Sequence, residues 1–330
     1  MLKSQFSKQN RQLTTGDPMK IGIAGIGKMG AAIGTRLLAQ GYDLTVWNRS
    51  APKAQGLRDA GAKWAQSPQA LTAAVDVVLT LLTDEAALNE VYAGPNGLLA
   101  ELTAMDGTSN ASDLAPSDKR KIFIDMSTVQ PAKAQDMAAQ IAALGAVFLE
   151  CPVGGSVGPA KEGKLLGFVG GDALDLDKVL PLLQTLCKRV EHVGPHGAGA
   201  TMKLAVNLPL MVYWQTLSEA LSLVEPLGLD PQRVIDILSD SSGGPNMLKV
   251  RGTMIAQTLR QKKSDQVTVN VATMRKDLRT MVAQGHRTHR ELPLTSLALE
   301  KFNQAAQSGL DDKDCTELPV WWLNQGGVGH

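Results

Sequence analysis

Cysteine is scarce in this chain of 330 residues: Cys151, Cys187 and Cys315 are an odd number with no Cys-x-x-Cys pair. That excludes a disulfide framework and a zinc site of the usual spacing, and fits a reducing, cytoplasmic setting. Charge of one sign is equally lacking. Lys and Arg total 33 against 32 Asp and Glu, a formal net charge of +1, so no global field draws in nucleic acid or an anionic membrane. Any anion site must be local. Long hydrophobic runs are missing too. The longest uncharged apolar stretch, Leu204 to Leu217, falls short of the roughly 20 residues of a membrane span and contains Pro209, which predicts a buried helix instead. Residues 1–18 are polar and lack the apolar core of a secretory signal, so they read as a disordered extension. The five histidines, His192, His196, His286, His289 and His330, have no carboxylate at metal-ligand spacing; solvated or structural roles and no metal are expected.

What is present is ordinary globular material, 44% hydrophobic and 20% charged, with length for two domains of roughly 150 residues. From Met19 onward, short apolar runs alternate with helix-length segments: IGIAG, DLTVW, VDVVLTLL, IFIDM, AVFLE, LLGFVG and VEHV. Strand alternating with helix predicts a parallel sheet, and runs apolar on both faces predict helices on either side of it. After Gly194 no convincing strand follows, and GPHG supplies turn residues before a long helix from about Ala198 to Val224. The expectation is an α/β Rossmann-type doubly wound domain over 19–194, followed by an all-α domain over 195–330. Residues 103–120, rich in Ser, Asp, Asn and Thr, read as a solvated loop.

Gly25-Ile26-Gly27-Lys28-Met29-Gly30 stands directly after the strand MKIGIAG and before a helix-length segment ending at Gly41. In that context the three glycines allow a tight turn, a close approach of backbone to a pyrophosphate, and the packing of helix on strand, with the phosphates at the helix N-terminus. About 20 residues on, an NAD site places a carboxylate on the ribose. Here the second strand runs into Asn48-Arg49-Ser50, with no acid. A guanidinium and a hydroxyl beside the ribose suit a 2′-phosphate, which favours NADP(H) over NAD(H). Leu81 and Leu82, ending the run VDVVLTLL, are counted with the cofactor site.

Between Gly194 and Ser218 the one charged residue is Lys203, with Asn207 four residues on and therefore on the same helix face. A desolvated ammonium has its pKa lowered toward neutrality and can exchange a proton near physiological pH. A lysine snorkelling at a domain boundary accounts for the same residue equally well on chemistry alone.

Five ordered motifs carry a resemblance: the GIGKMG turn; Asp125-Met126-Ser127-Thr128 followed by Pro131; Pro152-Val153-Gly154-Gly155-Ser156 followed by Gly163; Gly197-Ala198-Gly199 leading to Lys203 and Asn207; and Lys276-Asp277-Leu278. From Met19 to about Trp322 the chain resembles the β-hydroxyacid dehydrogenases, the family of 3-hydroxyisobutyrate dehydrogenase, tartronate semialdehyde reductase and the glyoxylate/succinic semialdehyde reductases. The resemblance implies Lys203 as general acid/base for reversible carbonyl reduction and Asn207 as the amide that holds substrate and orients the lysine. It places Ser127 and Thr128 beside the nicotinamide, with Ser127 also against the substrate, and Lys276 near both ligands. It assigns the substrate carboxylate to the amides of Gly154, Gly155 and Ser156. Many relatives have serine where Gly154 stands, so one hydroxyl donor is missing and Ser156 is its nearest replacement. A small carboxylate-bearing substrate and a homodimer or homotetramer are implied.

Other members of the wider group fit less well. The 6-phosphogluconate dehydrogenases carry a His before the matching amide and a Glu three after it, where this chain has Val206 and Leu210. Imine reductases usually replace the lysine with Asp or Tyr, so Lys203 argues for carbonyl chemistry, with imine reduction as the alternative within enzymes. The alternative outside enzymes is a non-catalytic NADP-binding redox sensor or assembly module, for which Lys203 and Asn207 would have no chemical use. Trp321 and Trp322 are expected to pack a C-terminal segment or a subunit contact. Pro245 to Lys249 reads either as a specificity element or as a plain helix start. Cys151 has no partner that would activate a thiolate.

Overall fold

The computed structural model describes residues 19–106 and 120–325. The extension over 1–18, most of the expected loop over 103–120, and His330 therefore lie outside the described residues. The start of that loop is not a loop: Ala100–Asp106 is helical, and Arg120 is partly buried, 3.7 Å from Asp175.

The sheet begins β1 (Ile21–Ala24), helix α1 (Lys28–Ala39), β2 (Leu44–Trp47), α2 (Gln55–Asp59), β3 (Lys63–Trp64), α3 (Pro68–Ala74) and β4 (Val77–Thr80). It continues with α4 (Glu85–Ala93), α5 (Ala100–Asp106), β5 (Ile122–Asp125), α6 (Pro131–Ala143), β6 (Val147–Glu150) and β7 (Val153–Gly154). Then come α7 (Val157–Glu162), β8 (Leu165–Gly170), α8 (Ala173–Leu186) and β9 (Cys187–Gly194). Among the described residues the strands are ordered β3-β2-β1-β4-β5-β6-β8-β7, with β9 on β8. β1 to β6 are parallel and mutually in register. This is the expected doubly wound arrangement, and the cause is visible in the strands. Ile122 and Ile124 enter a core shared with Ile33 and Leu37 of α1 and Val179 of α8, while Phe123 points the other way, to Leu71, Leu88 and Ile141 of α3, α4 and α6. Each residue of β1, β4, β5 and β6 is buried because both faces are covered.

One end of the sheet departs from the parallel arrangement. β8 runs antiparallel to the stretch Glu150 to Gly154, pairing Glu150 with Gly170 and Val153 with Gly167. A parallel return needs a crossover of a dozen or more residues, and between β7 and β8 the chain has only the short α7 and its flanks. The two-residue strands β3 and β7 carry too little alternation to be read from sequence.

After Gly194 the described elements are helices: α9 (Ala198–Val224), α10 (Pro231–Asp240), α11 (Asn246–Gln261), α12 (Val271–Arg287), α13 (Pro293–Ala305) and α14 (Glu317–Gln325). α12, α13 and α14 pack against α9. α9 is not buried all round, as its apolar sequence led one to expect. Leu204, Met211, Trp214 and Leu217 form one buried stripe, whereas Met202 and Val206 are 39% and 42% exposed. Trp322 Nε1 donates to Ser222 Oγ at 3.1 Å, fastening α14 to α9. Asn246 begins α11 directly after Pro245, so Pro245 to Lys249 is a helix start. His192 and His196 turn Nε2 to the carbonyls of Gly171 and Phe148, at 2.8 and 2.9 Å. No helix among the described residues is long and apolar enough to cross a membrane.

Candidate active site

The site is built where the strands end. Gly25 follows β1 with φ +104°, and a Cβ there would lie 2.3 Å from the Leu81 carbonyl oxygen. A Cβ on Gly30 would lie 2.0 Å from the oxygen of Gly25. Both positions exclude side chains for reasons internal to the turn. Gly27 differs: a Cβ there meets nothing within 4 Å, the residue is exposed, and it caps α1 without any side-chain acceptor. Free N–H groups of a helix start beside open space are what a pyrophosphate requires, so the residues present fit a dinucleotide. Ile26 is buried, Met29 packs on the sheet core, and Lys28 is exposed, with Nζ donating to the Val267 carbonyl of the helical half.

The ribose corner is partly committed. Asn48 Oδ1 accepts from the Ile26 N–H at 2.9 Å and its Nδ2 donates to the Ser50 carbonyl at 2.9 Å, so its side chain braces the turn. Arg49 is 82% exposed on its side chain and lies 3.7 Å from Glu90 of α4; Ser50 is exposed beside it. Leu81 donates its N–H to Ala24, and Leu82 donates its own to Ser127 Oγ at 2.9 Å, so both half-buried leucines line the end of β4.

One turn into α9, Lys203 Nζ donates to Asn207 Oδ1 at 3.0 Å, and Asn207 Nδ2 reaches Asp277 Oδ2 of α12 at 3.4 Å. Lys276 Nζ lies 2.9 Å from Asp277 Oδ1 and donates to the carbonyls of Thr83 at 3.3 Å and Thr128 at 3.1 Å. The Lys276 ammonium thus ties the helical half to the loops after β4 and β5, and Gln130 Nε2 adds a second tie by donating to the Thr280 carbonyl of α12 at 2.9 Å. Burial brings the pKa of Lys203 down to about 8; Asp277 opposes the fall and Lys276 adds to it. The structure therefore joins Lys203, Asn207 and Lys276 in one polar chain with Thr128. Gly154, Gly155 and Ser156 stand on β7 and at the start of α7, with Gly155 at φ +129° against Leu165, and β7 rests against α9.

Ser127 is more occupied than its motif suggests. Its hydroxyl donates to Asp125 Oδ1 at 2.7 Å while accepting from Leu82 N–H. Asp125 Oδ1 also accepts from Thr80 Oγ1 at 2.6 Å, and Thr80 meets the Tyr92 hydroxyl at 3.0 Å. Burial raises the pKa of Asp125 and Tyr92 alike. The sequence reading passed over Asp125 and Glu150 as functional groups. Their signal was available: each is the lone acid closing an otherwise apolar strand, IFID and VFLE.

Comparisons with known proteins match both halves of the chain. Residues 20–194 match the NAD binding domain of 6-phosphogluconate dehydrogenase, and residues 197–321 match the NAD-binding domain of NADP-dependent 3-hydroxyisobutyrate dehydrogenase. Glyoxylate/succinic semialdehyde reductase 1 of Arabidopsis thaliana is 30% identical over 296 residues, covering 90% of this chain and 96% of the relative. The 3-hydroxyisobutyrate dehydrogenase of Pseudomonas aeruginosa is 29% identical, covering 90% and 97%. Among solved structures, Psf3 in complex with NADP+ and 2-OPP superposes with a TM-score of 0.77 at 27% identity, covering 92% of this chain and 99% of that one. An NAD(P)-binding sheet domain, a helical partner carrying Lys203 and Asn207, and relatives named as dehydrogenases and reductases across the full length lead to one placement: the chain is an oxidoreductase of the β-hydroxyacid dehydrogenase family.

Proposed function

We propose that this protein is an NADP(H)-dependent β-hydroxyacid dehydrogenase that interconverts a small hydroxy acid and its carbonyl form, of the 3-hydroxyisobutyrate, tartronate semialdehyde, succinic semialdehyde or glyoxylate type. The observation that carries this reading is Lys203: a half-buried ammonium whose pKa desolvation brings down to about 8, hydrogen-bonded to Asn207 and bridged through it to Asp277. When bound, the nicotinamide supplies or takes up the hydride. Gly25, Ile26, Gly27, Lys28 and Met29 would hold the pyrophosphate, and Leu81, Leu82, Thr128 and Lys276 would bound the nicotinamide end. Lys203 does the proton work: its ammonium protonates the carbonyl oxygen as negative charge develops there, and its free amine takes the proton back in the oxidative direction. Asn207 fixes Nζ and offers the substrate an amide. The backbone N–H groups of Gly154 to Ser156 take the carboxylate, since a glycine-rich turn exposes successive amides to an anion.

Preference for NADP(H) is supported by Arg49 and Ser50 where an NAD site would have an acid, and by the solved relative that holds NADP+. Met202 and Val206, exposed on α9, are residues that assembly into a homodimer or homotetramer would cover. Three free buried cysteines suit a cytoplasmic location. The test is a panel of small aldehyde acids and hydroxy acids assayed with NADPH and with NADH. Turnover with at least one member and a preference for NADPH are expected; no turnover with any member would leave a cofactor-binding module.

A further inference from the structure

Glu150 and Asp125 are neighbours in register across β6 and β5, on the sheet face that α4 and α6 cover, and both are 2% exposed. They serve different parts of the site. Asp125 holds Ser127 and Thr80. Glu150 reaches the other way: its Oε1 accepts from the N–H groups of Gly199, at 2.6 Å, and Ala200, at 3.2 Å, in the first turn of α9. That turn has no other side-chain cap, because Gly197 occupies the capping position with φ +95°. Space is kept for the carboxylate by two glycines. A Cβ on Gly170 would lie 2.2 Å from Oε1, and one on Gly199 would lie 3.0 Å from it.

The i→i−4 ladder of an α-helix runs from Gly199 to Lys203, so whatever fixes the peptide of Gly199 fixes the root of the lysine side chain. We propose that Glu150 is a positioning residue for the reaction: its carboxylate locks the start of α9 to the end of β6 and thereby sets the place of the Lys203 ammonium. The proposal rests on Lys203 being the proton-transfer group.

Two further observations bear on how strong that lock is. A carboxylate accepts a backbone N–H more strongly than a neutral acid does, and negative charge is favoured at a helix N-terminus. Against this, burial pushes the pKa of Glu150 up to about 7, with Asp125 adding to the rise, and Oε2 is buried with no hydrogen-bond partner among the described residues. Other titratable groups on the surrounding elements include Cys151, next after its own strand, Tyr92 of α4, bonded to Thr80, His192 of β9, whose ring meets the Gly171 carbonyl, His196, whose ring is engaged with the Phe148 carbonyl, and Lys203 itself on α9. As pH falls through about 7, Glu150 takes up a proton and its hold on α9 weakens. In the reductive direction kcat should then carry two limbs, an acid limb near 7 from Glu150 and a basic limb near 8 from Lys203.

The experiment compares wild type, Glu150→Gln and Lys203→Ala with the substrate found in the panel. Glu150→Gln keeps the shape and one acceptor oxygen. At pH 7.5 its kcat should fall about five- to fiftyfold, the scale of a small misplacement of a reacting group. Its Kd for NADPH should stay within about twofold, and its pH profile should lose the acid limb. A kcat within twofold of wild type, or an acid limb that persists, overturns the proposal. So does an equal loss of NADPH binding, which would mean a damaged fold. Should Glu150→Gln not fold, Glu150→Asp takes its place: it keeps the charge at shorter reach, so a lowered kcat with the acid limb retained supports the proposal and a wild-type kcat overturns it. An active Lys203→Ala would instead sink the functional reading beneath it.

Discussion

Lys203 Nζ and Asn207 Oδ1 stand 3.0 Å apart on one face of α9, in a place where no other charge on that helix competes for the amide. General acid/base catalysis contributes about 10²- to 10⁴-fold, so Lys203→Ala should lower kcat/KM by at least about a hundredfold while NADPH binds within a few-fold of wild type. Lys203→Arg should not restore activity, because a guanidinium does not give up its proton in this range. Retention of kcat/KM within a few-fold in the alanine variant would remove Lys203 from the chemistry.

The same lysine sets a pH dependence of opposite sign in the two directions. Its pKa is lowered to about 8 by burial, so the ammonium predominates below that value and the free amine above it. Reduction needs the proton on the enzyme, and its rate should fall as pH rises through about 8. Oxidation needs the amine, and its rate should rise through the same interval. Profiles of kcat in both directions, on one preparation, check this; two limbs moving the same way would contradict it.

Gly27 and Gly30 make a paired test of the dinucleotide turn. Alanine at Gly30 drives a methyl group to 2.0 Å from the Gly25 oxygen and must move backbone, so Gly30→Ala should lower Tm by several degrees and abolish cofactor binding with it. Alanine at Gly27 meets no atom of the described residues within 4 Å. Its Tm without ligand should stay within about 1–2 °C of wild type, in the range of a neutral surface change. Its affinity for NADPH should nevertheless fall at least tenfold, because under the proposed function that space belongs to the phosphates. Thermal melts with and without NADPH separate the two cases.

How much of this was legible in the sequence follows from the range of the interactions. The turn at Gly25 to Gly30 and the pair Lys203 and Asn207 are local patterns, read from neighbours a few residues apart, and the strands were found because burial on both faces leaves long apolar runs. Asp277 could be seen only as part of a motif, since its meeting with Asn207 spans 70 residues. The antiparallel turn-back at β8 and the bracing of the cofactor turn by Asn48 were hidden for the same reason. An acid ending a buried strand announces that something must satisfy it, yet sequence does not say what: for Glu150 it was the backbone of a helix 49 residues away.

Arg49 bears on cofactor choice. It is well exposed and only loosely paired with Glu90, at 3.7 Å, so a 2′-phosphate can recruit it at little cost. Arg49→Ala should weaken NADPH binding by about 1.5–3 kcal/mol, the scale of a hydrogen bond to a charged group, and leave NADH nearly unchanged. Titration with both cofactors decides the matter. Equal losses would show that Arg49 does not recognise the phosphate.

Ser127 poses the reverse question, whether a residue suited to the substrate is free to bind it. Its hydroxyl proton goes to Asp125 at 2.7 Å and one lone pair takes the Leu82 N–H at 2.9 Å, in a position only 5% exposed. Removing the hydroxyl strips Asp125 of a donor and leaves the Leu82 amide without its acceptor, a loss of about 1–3 kcal/mol for buried groups. For a domain of this size that corresponds to a fall in Tm of about 2–4 °C per kcal/mol. Ser127→Ala is therefore expected to melt early, with a KM for the carbonyl substrate raised no more than a few-fold by the loosened end of β5. If instead Tm is unchanged and KM rises tenfold or more, the second lone pair of Ser127 is turned to the substrate, and the hydroxyl belongs to the binding site before it belongs to the frame.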